Sequence, residues 1–373
     1  MNILIFSVSI GNGHDQVAHN LRNEFIRINN DSRVKIVNTI NFISPILDKV
    51  ILESYMKILK IYPKAWGKIY ETTNKRDPII DINDITNRLM TSKLKRSIND
   101  FKPDVIVCTH SFPASIISTL KQKGQVIYPL LSVITDFNIH SSWINELTDY
   151  YIIPHENLTY VMEGFGVVRE KILPLGIPIK KEFSLPLDRQ AISSSINLDS
   201  SKNTILVMGG GLGLGGINKI VKELDQSLKD VQIIAVAGRN NRLETRLQSL
   251  ATNNKLIVYG FINNIHELME VADIIITKPG GVSTAEIMCK QKPLIIFSPL
   301  PGQEYENAEF LLNVGAAAAT SDVKRIPVLI KQIFNFDARM KCIREIMEVL
   351  KKPSAAADAA SFICQRYDSP KNN

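Results

Sequence analysis

The chain is 373 residues long, 45% hydrophobic and 22% charged, an ordinary composition for a folded globular protein and length enough for two domains. No apolar run approaches the roughly 18–20 residues that a spanning helix needs. The net charge of +7 leaves nucleic acid and anionic membranes as macromolecular partners of the right sign.

The first apolar run, residues 2–9, reads as a strand that ends in the turn Gly11-Asn12-Gly13-His14. It is short and has no basic flank, so it is expected to be structural and not a signal peptide. A helix follows over 15–28 and a strand over 34–38. From Lys49 to Arg76 there are seven basic and two acidic residues, a local net charge of +5. Ile51, Leu52, Tyr55, Leu59 and Tyr62 recur there at helical spacing, as do Lys57, Lys60, Lys64 and Lys68; beyond Pro63 the apolar side continues in Trp66, Ile69 and Tyr70. A basic face opposite an aromatic apolar face fits short helices lying on an anionic bilayer, and equally core helices with a solvated lysine face. Helix-turn-helix, zinc and aromatic RNA-binding signatures are missing, so nucleic acid is not expected as a partner.

A helix near 85–99 leads to a strand over 105–109, the turn His110-Ser111-Phe112-Pro113, a helix, and a strand over 130–135 that runs into Asp136. A short strand is expected at 150–153. Residues 173–178 and the polar stretch to 203, most loop-like over 193–201, read as a linker. The grammar then restarts: a strand at 205–208, the loop from Gly209 through Gly216, a strand at 232–237, a helix at 243–250, and a strand at 257–259 ending in Gly260-Phe261. After a helix at 266–271, the apolar run 272–276 feeds Lys278-Pro279-Gly280-Gly281, with a helix opening at Ser283. A buried strand over 293–299 ends in a second turn, Pro301-Gly302-Gln303-Glu304, and a last helix spans 355–367. Apolar strands alternating with helices argue for parallel sheets covered on both faces.

Chemistry concentrates after the strands. Glycines before a helix let backbone N–H groups approach an anion, and a helix start carries partial positive charge. Beside Gly280 and Gly281 stand Lys278, two carboxylates (Glu286, Glu304) and two amides (Gln303, Asn307), the groups needed to hold a nucleotide sugar. The bland alternatives are a tight turn at Gly280-Gly281 and a capping box in Ser283-x-x-Glu286. Neither glycine loop is a dinucleotide fingerprint, and there is no GxxxxGK[ST]. There is also no Asp-x-Asp metal clamp, so a leaving diphosphate is expected to be neutralised without metal, by the helix start, loop N–H groups and Lys278. Cys108, Cys289, Cys342 and Cys364 lack metal spacing and read as reduced thiols of a cytosolic protein. His14, after the first strand, is the candidate general base. Asp136 is either a partner that orients base or acceptor, or a strand-end cap; His110 is a weaker candidate.

Lys278-Pro279-Gly280-Gly281, the Glu286 that follows, and Pro301-Gly302-Gln303-Glu304 with Asn307 resemble the donor-site signature of the diacylglycerol glycosyltransferase family. That family includes plant monogalactosyldiacylglycerol synthases and bacterial processive diacylglycerol glucosyltransferases. A more distant likeness extends to the N-acetylglucosaminyltransferase that completes the lipid-linked peptidoglycan precursor. Gly11-Asn12-Gly13-His14 resembles the family's glycine-histidine motif, with Asn12 where Gly or Ala is commoner. Ile134-Thr135-Asp136-Phe137, with His140 and Trp143 after it, resembles the bacterial members.

The resemblance implies an α/β fold of two Rossmann-like, doubly wound domains facing across a cleft, the B-type glycosyltransferase architecture. It implies an acceptor and membrane-facing domain over 1–178, a linker over 179–203, a donor domain over 204–352, and a C-terminal helix over 353–373 that crosses back. It implies inverting transfer from a UDP-hexose to diacylglycerol or a glycosyl-diacylglycerol, with no cofactor and no metal. His14 and Asp136 would be catalytic. Gly260 and Phe261 would hold uracil, Glu286 the ribose, and Gly209, Gly210, Gly280, Gly281 and Ser283 the phosphates, with Gly13 and Lys278 also at the donor. Gln303, Glu304 and Asn307 would read the sugar. Tyr55, Lys57, Lys60, Lys64, Trp66, Lys68, His140 and Trp143 would meet the acceptor and the anionic membrane, on whose cytoplasmic face the protein would sit peripherally. The alternatives are a UDP-sugar glycosyltransferase acting on another lipophilic acceptor, a nucleotide-sugar epimerase or hydrolase, or a silent nucleotide-sugar sensor, on the same scaffold.

Overall fold

The computed structural model describes residues 1–9, 12–46, 67, 72 and 85–368, the stretch 85–90 by its backbone alone. These divide into two units, one drawn from Met1–Lys180, Pro301–Gln303 and Ser354–Asn373, the other from Lys181–Leu300 and Glu304–Pro353.

The first unit is built on six strands: β1 (Asn2–Ser7), β2 (Arg33–Asn38), β3 (Val105–Cys108), β4 (Leu130–Val133), β5 (Tyr150–Ile152) and β6 (Ile172–Leu173). Their order is β2-β1-β3-β4-β5-β6 and every neighbouring pair is parallel. Ile3, Leu4, Ile5 and Phe6 are all fully buried, which is why β1 is a continuous apolar run and not an alternating one: both faces of the sheet are covered. The edge strand β2 exposes Arg33 and Lys35, charges that discourage pairing with another chain. Helix Gly13–Ile28 turns Val17, Ala18, Leu21 and Phe25 inward. Helix Ala355–Tyr367 lies against it in the same unit, its buried Ala355, Ala356, Ala359 and Ala360 permitting a close approach.

The second unit repeats the plan with β7 (Asn203–Met208), β8 (Val231–Val236), β9 (Lys255–Tyr259), β10 (Ile274–Thr277), β11 (Leu294–Phe297) and β12 (Ala317–Thr320). The order is β12-β11-β10-β7-β8-β9, again all parallel. In each sheet the chain reverses its direction of strand addition once, between β1 and β3 in the first and between β7 and β10 in the second. Such reversals open a crevice at the carboxyl ends of the strands, where open α/β sheets bind ligands.

Local structure departs from the sequence reading at several points. Within the polar stretch 179–203, Arg189–Ser195 form a helix. Serine is a weak helix former, but Asp188 caps the first turn by accepting from Gln190 and Ala191 N–H, each at 3.0 Å. The helix then lies against helix Ile265–Val271, and Arg189 pairs with Asp273 at 2.6 Å. Strand β12 is mostly alanine, a poor strand former; its register with β11, Leu294 opposite Ala317 through Phe297 opposite Thr320, imposes the conformation. Asn12 precedes the first helix at φ 68°, a left-handed conformation that asparagine tolerates and β-branched residues do not, which explains an Asn in a glycine motif.

Among the described residues no helix is long and apolar enough to cross a membrane. Tyr55, Lys57, Lys60, Lys64, Trp66 and Lys68, expected at the membrane, lie outside the described residues.

Candidate active site

In the first unit the polar residues gather at the β1/β3 reversal. His14 stands in the first turn after β1, and Thr109 and His110 follow β3. His14 Nδ1 lies 2.7 Å from the Thr109 carbonyl oxygen and 3.0 Å from Thr135 Oγ1. A carbonyl oxygen only accepts, so Nδ1 carries the proton and Nε2 holds the free lone pair. The ring is partly exposed, yet burial of its surroundings pushes the imidazole pKa below the ordinary value, against the upward pull of Asp136, the Thr109 carbonyl and Asp15. A neutral imidazole with Nε2 unprotonated has the lone pair that a general base requires.

Asp136, at the end of β4, is buried; Thr135 Oγ1 donates to its Oδ2 at 3.5 Å, and it acts on His14 through its charge. Pro301–Gln303 group with this unit, and there Gln303 Nε2 donates to Asp136 Oδ2. Gly13 is the first residue of the His14 helix. The sequence reading missed Thr109 and Thr135. Thr135 sits inside the quoted Ile134–Phe137 motif, but the contact that matters joins residues 121 positions apart, and Thr109 contributes only its backbone.

His140 and Trp143, expected to meet the acceptor or membrane, are placed otherwise. Their exposures are 7% and 5%, so neither offers a surface to lipid. His140 caps a short 3₁₀ turn by accepting from Ser142 N–H at 3.1 Å, and the Trp143 ring lies 6.4 Å from that of His110. Aromatic and imidazole bodies here serve as core behind the base.

In the second unit the two glycine turns follow β7 and β10, the strands flanking the other reversal. The loop after β7 is folded on itself: Leu214 N–H donates to the Gly209 carbonyl at 3.0 Å and Gly213 N–H to that of Gly210 at 3.1 Å. A Cβ on Gly213 would stand 2.0 Å from the Ala237 carbonyl oxygen, so no other residue fits this loop. The stem of Lys278 crosses beside Gly215, joining the two turns. Its ammonium pairs with Glu304 Oε2 at 3.4 Å, and the same oxygen accepts Leu300 N–H at 2.8 Å.

The helix after β10 runs Gly281–Lys290 with Gly280 as its N-cap, and no side chain caps it. The reading of Ser283 as the opening residue is therefore corrected. Ser283 sits within the first turn, too late to be the cap of a capping box, and Glu286, 4% exposed, lies in the turn beyond. The first N–H groups, from Gly281 to Ser283, precede the first intrahelical bond, which Thr284 N–H makes to the Gly280 carbonyl at 2.9 Å. Uncapped donors and the helix dipole make this start a seat for an anion.

Asn307 is fully buried, and its Nδ2 donates to the Pro279 carbonyl at 2.9 Å, so it braces the Lys278–Gly280 turn. At the end of β9, a Cβ on Gly260 would meet the Glu244 carboxylate at 2.5 Å, and the Arg239 guanidinium lies over the Phe261 ring at 4.6 Å. Phe261 is half exposed.

Each unit is a doubly wound parallel sheet, the first with His14 at its strand reversal and the second with the uncapped helix start after β10 at its own, the two-domain α/β class of the B-type glycosyltransferases. The sequence profile of monogalactosyldiacylglycerol (MGDG) synthase matches residues 14–179, and that of the glycosyltransferase family 28 C-terminal domain matches residues 204–356. A processive diacylglycerol beta-glucosyltransferase of Bacillus cereus (strain AH187) is 30% identical over 358 residues, covering 95% of this chain and 91% of the relative. Among solved structures, MurG of Acinetobacter baumannii superposes with a TM-score of 0.63 at 14% identity, over 98% of this chain and 99% of the other. The UDP-GlcNAc 2-epimerase of Neisseria meningitidis does so with a TM-score of 0.60 at 14% identity, over 98% and 100%. Fold alone therefore does not separate transferase from epimerase; the sequence relatives do. The chain belongs to the diacylglycerol glycosyltransferase family, and it is a glycosyltransferase.

Proposed function

We propose that this enzyme moves a hexose, glucose as first choice, from a UDP-hexose to the hydroxyl of diacylglycerol or of a glycosyl-diacylglycerol, with inversion at the anomeric carbon. The observation that carries the chemistry is the tautomer forced on His14, whose Nδ1 is tied to the Thr109 carbonyl and whose Nε2 is left basic. The sugar and the acceptor rest on the name of the full-length Bacillus relative.

In this reading Nε2 takes the proton of the acceptor hydroxyl as its oxygen attacks the anomeric carbon. Asp136 stabilises the imidazolium that forms. The bond to the UDP oxygen breaks as the new one forms. The negative charge growing on the diphosphate is met by the N–H groups of Gly281 to Ser283, by the loop at Gly209 and Gly210, and by Lys278. Gly260 and Phe261 hold uracil, Glu286 the ribose, and Gln303 and Glu304 the sugar hydroxyls. No step calls for a metal or cofactor. Attachment is peripheral, on the cytoplasmic face of an anionic membrane, through the basic stretch between Lys49 and Arg76.

The test is a vesicle assay. Phosphatidylglycerol vesicles with and without diacylglycerol are incubated with radiolabelled UDP-glucose, UDP-galactose or UDP-N-acetylglucosamine, and lipid-extractable label is counted. Label in lipid from UDP-glucose, dependent on diacylglycerol, is the expected result. Free sugar or an epimerised nucleotide with no labelled lipid would instead make the protein a hydrolase or epimerase.

A further inference from the structure

We propose that His110 is a positioning residue for the His14 base: its ring keeps one flank of the imidazole dry and stays neutral, so that the proton taken from the acceptor rests on His14 alone. The inference rests on the reading of His14 as the base. His110 is the N-cap of helix Ser111–Gln122, and its Nδ1 accepts Phe112 N–H at 3.0 Å. That bond fixes the second tautomer of the site, with the His110 proton on Nε2. Protonating His110 would turn its accepting nitrogen into a donor facing a donor, and would uncap the helix.

The His110 ring meets that of His14 edge-on, centroids 4.6 Å apart and planes at 70°. Buried Trp143 lies near His110, ring centroids 6.4 Å apart. The His110 ring is itself partly exposed; desolvation by its surroundings, and next the neighbouring His14, hold its pKa well below the ordinary imidazole value. The titratable groups facing His14 are Asp15 from its own helix, Asp136 from the end of β4 and His110 from the turn after β3. Two of these are carboxylates that favour an imidazolium. His110 is the member that contributes an uncharged surface, and so offsets them by excluding water.

The discriminating variant is His110→Asn. Asparagine is a strong N-cap whose carbonyl oxygen can take the Phe112 N–H, so the helix start is kept while the ring is removed. Water then reaches His14, and its pKa is expected to rise by roughly half a unit or more toward the value of a solvated imidazole. The measurement is an NMR titration of the histidine Cε1 resonances of the full chain, wild type against His110→Asn, with His14→Ala identifying the His14 signal. The acid limb of kcat/KM for glycolipid formation should move to higher pH by the same amount. A merely structural role would lower the melting temperature or kcat without moving either titration. If His110→Asn fails to fold, His110→Ser keeps a capping hydroxyl and removes the same ring. A His14 titration at unchanged pH in a folded variant overturns the proposal. Activity surviving in His14→Ala would overturn the base assignment instead, and the NMR result would stand apart from it.

Discussion

Replacing His14 by alanine is expected to lower glycolipid formation by about 10²- to 10⁴-fold, the usual contribution of a positioned general base, or about 3–5 kcal/mol of transition-state stabilisation. Donor binding should change little, because the candidate phosphate donors belong to the other unit. Isothermal titration of UDP with the same variant checks this. The pH dependence gives a second handle. Catalysis needs the neutral imidazole, and burial lowers the His14 pKa, so the acid limb of the wild-type rate should lie at lower pH than an ordinary, solvated imidazole would give. The sign for stability is the same. Imidazoles lowered by folding add stability above their unfolded pKa, and this is lost as pH falls through the folded value. Wild type should therefore lose activity and stability together on the acid side, and His14→Ala should show no acid limb in its residual rate.

The second large effect is expected from Gly280→Asp. Gly280 has φ −66° and ψ 137°, which any residue adopts, and a Cβ there meets nothing within 4 Å. Aspartate is also among the best N-caps, so the variant should fold as well as wild type or be more stable by a few tenths of a kcal/mol. Its carboxylate, however, would accept the N–H groups offered to the diphosphate and place a negative charge beside it. Two like charges about 4 Å apart near a protein surface repel by about 4 kcal/mol. UDP-hexose affinity should fall at least ~100-fold while the melting temperature holds. If Gly280 and Gly281 form only a tight turn, donor affinity in the variant would match wild type, and the phosphate seat would have to lie elsewhere.

Ten of the twelve described strands, the glycine turns and the position of His14 were legible because each is written locally, in apolar runs, glycines and a titratable side chain at a strand end; the two-residue β6 and the alanine-rich β12 carry no such pattern. What the histidine does was less legible, because its tautomer depends on a backbone carbonyl 95 residues away that no side-chain pattern encodes. The surroundings of Asn307 and Trp143 were not legible for a related reason: both stand beside the quoted motifs, but tertiary contacts bury them, Asn307 as a brace on Pro279 and Trp143 near His110. The helix after β10 starts two residues earlier than its serine suggested, since Gly280 takes the cap position with no side chain to mark it. Residues 189–195 show the converse. Serines that read as loop are helical because Asp188 caps them and a neighbouring helix receives them.

The most direct test of the central claim is the anomeric configuration of the product. A single displacement, with His14 deprotonating the acceptor while the diphosphate leaves from the helix start, inverts the reacting carbon. From α-linked UDP-glucose and diacylglycerol, proton NMR of the purified glycolipid should show a β-linked glucose with the large H1–H2 coupling of that anomer. An α-linked product would require a second displacement or a different mechanism, and would contradict the assignment of His14 as the base of a one-step transfer.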